Sequence, residues 1–203
     1  MFSIAALRTA LVAGLMGLLA ATGAKAAPLQ FSSYLTGTNL GKTTIATLDA
    51  TQDATGVIFT LTHTLANQPS SFVNDLFLDY SGSTQGLSAN YVSGINFSSF
   101  STGSITNAGY GFNIKFDYPT SNGKKAPPRL TYGLSSTFKI VGATLANFNF
   151  GVGNPMLHMN GLNGGGSTKY GPDIANAPVP AAGVLLFTAL GGIGALRARR
   201  RSS

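Results

Sequence analysis

Residues 57–65 alternate strictly: Val57, Phe59, Leu61, His63 and Leu65 fall on one side, and Ile58, Thr60, Thr62 and Thr64 on the other. A strand sends successive side chains to opposite faces, so this period of two builds one apolar and one polar face, which no helix could do with the same residues. The rhythm returns in 111–118, where Phe112, Ile114, Phe116 and Tyr118 oppose Asn113, Lys115 and Asp117, and again where Leu76, Leu78 and Tyr80 oppose Asp75, Phe77 and Asp79. Phe138 with Ile140, and Phe148 with Phe150 and Val152, repeat it. Turn-forming clusters separate these runs: Asn67-Gln68-Pro69-Ser70, Ser81-Gly82-Ser83, Ser121-Asn122-Gly123-Lys124 and Ala126-Pro127-Pro128. No helical stripe interrupts them, and no repeat of about 20–50 residues appears, which disfavours a solenoid or propeller. The pattern predicts an all-β domain over residues 27–176, a single jelly-roll-like β-sandwich with enough chain for one core.

Charge separates this middle from the ends. The chain has 13 Lys+Arg against 6 Asp+Glu, a net of +7. Arg8, Lys25, Arg197, Arg199, Arg200 and Arg201 belong to the termini, leaving 7 basic and 6 acidic residues in 27–196. A near-neutral middle has no basic stripe to neutralise several phosphates, so no nucleic-acid partner is expected. With 0 cysteines the chain also lacks disulfides, thiolate catalysis and Cys-type zinc sites.

Residues 1–26 read as a signal peptide. Arg8 precedes an apolar run over 9–21, roughly 20 Å as a helix and too short to span a bilayer. Ala24-Lys25-Ala26 supplies the small residues, Ala24 and Ala26, that signal peptidase needs, with cleavage after Ala26. At the other end Pro178-Val179-Pro180 precedes an uncharged stretch, 181–196, which is about 24 Å long as a helix. That is short of a ~30 Å hydrocarbon core, but thinning and snorkelling arginines cover the difference. Arg197, Arg199, Arg200 and Arg201 follow and hold that end in the cytoplasm, which puts the middle of the chain outside.

This tail, Pro-x-Pro then a short apolar helix then arginines over 177–203, resembles the PEP-CTERM sorting signal of Gram-negative bacteria. Val179 stands where the commonest form has Glu, which brings Ala177-Pro178-Val179-Pro180-Ala181 closer to the Val-Pro-Leu-Pro-Ala variant of the tag. The resemblance implies an exosortase-like membrane enzyme as partner, transient anchoring in the inner membrane, processing near Pro178 and Pro180, and release. More weakly, the segments 112–120, 145–150 and 158–162 resemble secreted β-rich proteins that carry this tag. That group implies fold and export and nothing catalytic.

Candidate chemistry in the middle is thin. Gly41-Lys42-Thr43 follows Gly37 with three residues between the glycines where a phosphate loop needs four, so a plain strand-loop reading stands. Asp75 and Asp79 on one strand face lie ~13 Å apart, beyond the carboxylate separations of glycosidases and a metal's first shell. Asp49 and Asp53 are expected to flank a turn as solvated residues, with a weak Ca²⁺ site as the lesser reading. His63 reads as a neutral, hydrogen-bonded core histidine and His158 as an exposed loop histidine. No nucleophile elbow, catalytic set, cofactor or metal site is assigned, although a Ser-His-Asp set could still assemble in space.

Tyr34, Tyr91, Tyr110, Tyr132 and Tyr170 are the aromatic platforms on which a glycan could stack, and Phe77 is expected to be covered by a second sheet. The resulting expectation is an exported, non-enzymatic protein of the cell surface or the biofilm polysaccharide matrix. Its partners would be signal peptidase, the secretion machinery and an exosortase-like enzyme. The alternative is a carbohydrate-binding module with an exopolysaccharide partner, or, less favoured, a secreted hydrolase.

Overall fold

The computed structural model describes residues 28–121, 123 and 126–173. The expected signal-cleavage residues Ala24 and Ala26, the expected sorting residues Pro178, Val179 and Pro180, the apolar stretch 181–196 and the arginines at 197, 199, 200 and 201 lie outside the described residues. Within them the chain is all-β. Its strands are β1 (Leu29–Gly37), β2 (Ala46–Asp53), β3 (Gly56–His63), β4 (Phe72–Leu78), β5 (Ser88–Gly94), β6 (Ser99–Asn107), β7 (Tyr110–Asp117), β8 (Ser135–Val141), β9 (Met156–Asn160) and β10 (Thr168–Pro172). The only helical piece among the described residues is a 3₁₀ turn, Leu145–Asn147. No described helix is long and apolar enough to cross a membrane.

All ten strands join one antiparallel sheet in the order β5-β8-β3-β2-β1-β10-β9-β4-β7-β6. The sheet curls until it is nearly closed, with β5 and β6 as its two edges. Its concave face carries the residues that the alternation assigns inward: Val57, Phe59, Leu61 and His63 of β3 are fully buried, while Ile58, Thr60 and Thr62 are only partly so. The outer threonines pair across strands, as where Thr60 and Thr137 hydroxyls meet at 3.1 Å.

Rings run through the core in a chain. Tyr80 packs on Phe148 (4.8 Å between centroids), Phe148 on Phe59 (5.0 Å), Phe59 on Phe138 (5.7 Å) and Phe138 on Phe116 (4.2 Å). Phe97, in the connection from β5 to β6, packs on both Phe116 (5.1 Å) and Phe138 (6.2 Å). It thereby fills the seam between the edges with apolar surface where no ladder closes it.

Two sequence expectations change here. Asp49 and Asp53 do not flank a turn: both belong to β2, because Ala46, Leu48 and Ala50 keep their inward period through that stretch. The turn comes later, where Asp53 Oδ1 accepts from the N–H groups of Thr55 (2.9 Å) and Gly56 (3.1 Å) and reverses the chain into β3. Lys139 Nζ lies 2.6 Å from Asp53 Oδ2, and this hydrogen bond lowers the carboxyl to about 2. Phe77 is buried, yet not under another layer. It packs with Phe112 and Met156 in a cluster separate from the main core, with Leu35, Ile105, Ala108 and Tyr110 against it.

His63 behaves as its place in the alternation implies. Its Nδ1 accepts the N–H of Leu65 at 3.2 Å, so the ring proton sits on Nε2 and donates to Ser71 Oγ at 3.0 Å. Ser71 passes the bond on to the carbonyl of Gln68 at 2.6 Å. Burial disfavours the charged ring and lowers its pKa to about 4. Between about 6.5 and 4 the unfolded chain binds the proton more readily than the folded one, so stability is full above that window and falls as pH drops through it. We therefore expect the unfolding free energy from urea titrations to fall between pH 7 and 4.5, by about 2 kcal/mol. His63→Phe should flatten that slope, and an unchanged slope would mean that the ring does not set it.

Candidate functional site

Register, rather than proximity in sequence, assembles a dense polar cluster on the outer face. Thr36 of β1 pairs with Lys169 of β10, Lys169 with His158 of β9, His158 with Asp75 of β4, Asp75 with Asp117 of β7, and Asp117 with Ser99 of β6. Six strands thus contribute one row of polar side chains. His158 Nδ1 lies 2.8 Å from Asp75 Oδ2, so that nitrogen carries the proton and donates. Asn74 Nδ2 donates to the same oxygen at 2.6 Å, and Asn160 Nδ2 donates in turn to Asn74 Oδ1 at 3.0 Å. Lys115 bridges the two acids, 3.2 Å from Asp75 Oδ1 and 2.5 Å from Asp117 Oδ1, and lies 5.7 Å above the ring of Phe77. Ser99 Oγ donates to Asp117 Oδ2.

The electrostatics follow from this wiring. Burial by itself would raise the Asp75 carboxyl, but the hydrogen bonds from His158, Asn74 and Lys115 outweigh it and hold the group well below the usual carboxylate range. Burial likewise works against the charge on Lys115, and the two carboxylates more than reverse that, raising it. His158 is therefore not the exposed loop histidine expected from its Met- and Gly-rich surroundings. It sits in a strand whose Leu157 and Met159 face the core, and its own side chain is largely covered.

An Asp–His pair at this distance is two thirds of a hydrolytic set, and its surroundings decide what it can do. Lys115 already neutralises Asp75, and among the described residues no serine or threonine hydroxyl hydrogen-bonds to His158. Three grooves on the described surface, beside Tyr34, beside Phe112 and beside Asp49, include neither His158 nor Asp75 in their linings. No described group of three or more His, Cys, Asp or Glu is placed to hold a metal ion.

The clearest groove lies elsewhere, where β1 meets the loop that follows it. It has a volume of about 510 Å³ and is lined by Ser32, Ser33, Tyr34, Asn39, Gly41, Lys42, Thr44 and Asp173. Here Gly41-Lys42-Thr43 is the strand-loop segment that its spacing implies. Tyr34 is held in place: its hydroxyl donates to the carbonyl of Gly37 at 2.8 Å, and its ring meets Tyr170 edge-on at 5.9 Å. Tyr170 is itself no platform, being fully buried, but it holds the groove-lining Gly41 in place, accepting the Leu40 N–H at 2.9 Å and donating to the Gly41 carbonyl at 3.1 Å. Of the other tyrosines, Tyr91 and Tyr132 are exposed and Tyr110 is partly covered. Asp79, far from a shared site with Asp75, accepts from Asn149 Nδ2 at 3.2 Å.

The Asp75–His158 contact is testable as a pair. Asp75→Ala and His158→Ala should each cost about 1–3 kcal/mol in urea unfolding at pH 7. The double variant should lose less than their sum by about 0.5–3 kcal/mol, whereas strict additivity would mean the two side chains do not support each other.

No protein-family model, curated protein or solved structure matches this chain.

Proposed function

We propose that this is an exported protein of the cell surface or extracellular polysaccharide matrix, sorted and processed by an exosortase-like enzyme, with no catalytic activity of its own. Residues 1–26 act as the signal helix, 181–196 as a transient membrane anchor, and Pro178-Val179-Pro180 as the recognition segment. The described domain is read as a jelly-roll-like sandwich whose layers are β5-β8-β3-β2-β1 and β10-β9-β4-β7-β6.

One observation carries this reading. The first and last strands are neighbours: Phe31 pairs with Pro172, and the Asp173 N–H donates to the Gln30 carbonyl at 3.3 Å. Every described strand lies within residues 29–172, so removing the first 26 residues and everything beyond about 177 takes away none of the described strands. The wiring of Asp75 and His158 into a neutralised row supports a structural role for them over a hydrolytic one.

The groove at Tyr34 favours a second reading, a glycan-binding module on the same export route. A fixed aromatic ring beside Ser33, Asn39, Lys42 and Thr44 offers stacking together with hydrogen-bond partners for sugar hydroxyls.

The intact mass of the protein from its native host, fraction by fraction, tests the first reading. Material outside the cell should lack residues 1–26 and the arginine tail. A mass that keeps the tail and is found only in membranes would overturn sorting and leave a plain C-terminal anchor. The second reading predicts saturable binding to the host's polysaccharide that Tyr34→Ala weakens at least tenfold with the fold unchanged. An equal affinity in the variant would remove the groove from consideration.

A further inference from the structure

Three Asn-Gly pairs occur in the chain, at 122–123, 160–161 and 163–164. Such a pair can rearrange without help, because the nitrogen of the following residue reaches the asparagine Cγ and a glycine has no side chain to hold it off. In a folded chain the freedom of both groups decides whether it does so. Asn122 lies outside the described residues. The other two pairs stand at the end of β9 and in the loop that follows it, and the fold treats them in opposite ways.

Asn160 is the last residue of β9 and pairs with Phe72 of β4. Its Nδ2 donates to Asn74 Oδ1 at 3.0 Å, which ties the amide into the polar cluster. Gly161 is packed as tightly: a Cβ there would lie 2.6 Å from the Ser70 carbonyl oxygen and 2.9 Å from the Phe72 ring. Its nitrogen cannot swing towards the amide unless the end of the strand opens. Asn163, by contrast, is exposed, as are Gly164 and Gly165. Its N–H donates to Gln68 Oε1 at 2.7 Å, which holds the residue on its N-terminal side. On the other side nothing holds it: among the described residues neither its side-chain amide nor the Gly164 N–H makes a hydrogen bond. The Gly165 N–H donates to the Leu162 carbonyl at 2.8 Å and closes a turn around the pair. Gly164 has φ of +87°, and no atom beyond its chain neighbours lies within 4 Å of where a Cβ would stand. Attacking nitrogen and target carbon are therefore adjacent, exposed and unconstrained by packing.

We propose that Asn163 is a self-modification site, which converts with time to aspartate and isoaspartate while Asn160 keeps its amide. The Gly164 nitrogen bonds to Asn163 Cγ, and its proton leaves with the side-chain nitrogen as ammonia, closing a succinimide ring. Water then opens the ring. Attack at the former side-chain carbonyl gives aspartate; attack at the main-chain carbonyl gives isoaspartate, in which the main chain runs through the former side chain and is one carbon longer. No oxidant, reductant or second protein takes part. Either product adds a negative charge to an exposed loop, and isoaspartate also stretches the turn that the Gly165–Leu162 bond closes. At the far end of this loop the Ser167 carbonyl accepts the Thr38 N–H at 2.9 Å, so the change is made beside the end of β1. This inference does not rest on the export reading.

Peptide mapping of the full chain, dispersed in mild detergent and kept in mildly alkaline buffer, tests it against a second sample unfolded in urea. Fragmentation of the peptide that carries both residues assigns each mass gain to Asn160 or Asn163. In urea the two should convert at similar rates, because the reacting pair is the same. In the folded chain Asn163 should convert at least tenfold faster than Asn160, which reacts only when the end of β9 opens. Isoaspartate should be among the products, since direct hydrolysis of the side chain gives aspartate alone. Asn163→Gln, at an exposed position, should abolish the fast conversion with the fold unchanged, and Gly164→Ala should slow it. Equal rates at the two residues in the folded chain, faster conversion at Asn160, an Asn163 that keeps its amide, or a product free of isoaspartate would overturn the proposal.

Discussion

The ladder between β1 and β10 is the interaction on which the rest depends. Remove it and the sheet falls into two five-stranded pieces, β5-β8-β3-β2-β1 and β10-β9-β4-β7-β6, each with its apolar face bare. The ladder also buries Phe31 and Tyr170, and Tyr170 reaches across to fix the loop at Leu40 and Gly41, 130 and 129 residues away in sequence. The groove beside Tyr34 therefore depends on closure: the contact that joins the halves also fixes Gly41 in the groove's lining. Pairing of such distant segments is slow to form, because loop closure must precede any gain from the contact. On a chain threaded N-terminus first, β1 has no β10 to meet until nearly the whole domain has emerged.

A second dependence runs across the outer face. The row from Thr36 to Ser99 sets two carboxylates, Asp75 and Asp117, side by side on neighbouring strands, and Lys115 bridges them only if β4 and β7 are in register. A slip of one residue would turn Asp75 towards the apolar interior and Leu76 to the outside. The row thus discriminates between registers more than it adds net stability, since burying charges costs much of what their pairing returns.

How much of this was legible in the sequence depended on contrast between faces. The strands at 57–63, 110–117 and 135–141 have one buried and one wetter face, and their period of two stood out. The strands at 88–94 and 99–107 are exposed on both faces, so Ser-Ala-Asn-Tyr-Val-Ser-Gly and its counterpart show no alternation to read. At 46–53 the inward residues include two alanines, too small to stand out against Asp49 and Asp53, and the stretch passed for a turn. Ala108, with φ of 51°, occupies a hairpin position where Gly or Asn gives the usual signal. For the polar cluster, alternation placed Asp75, Lys115 and Asp117 on outward faces. Nothing local could say that His158, 83 residues from Asp75, would be its neighbour, because strand order is decided by the whole core.

The adjacency of the first and last strands has a mechanical side. Phe31 and Pro172 form a rung at the very end of the ladder, so a pull applied between the two chain ends loads that rung alone, then the next. Such unzipping takes far less force than shearing a whole ladder at once. The domain is therefore closed against thermal fluctuation by the same contact that makes it easy to open under tension between its ends. A load entering and leaving elsewhere, for instance through an outer edge of the sheet, would spare that rung entirely.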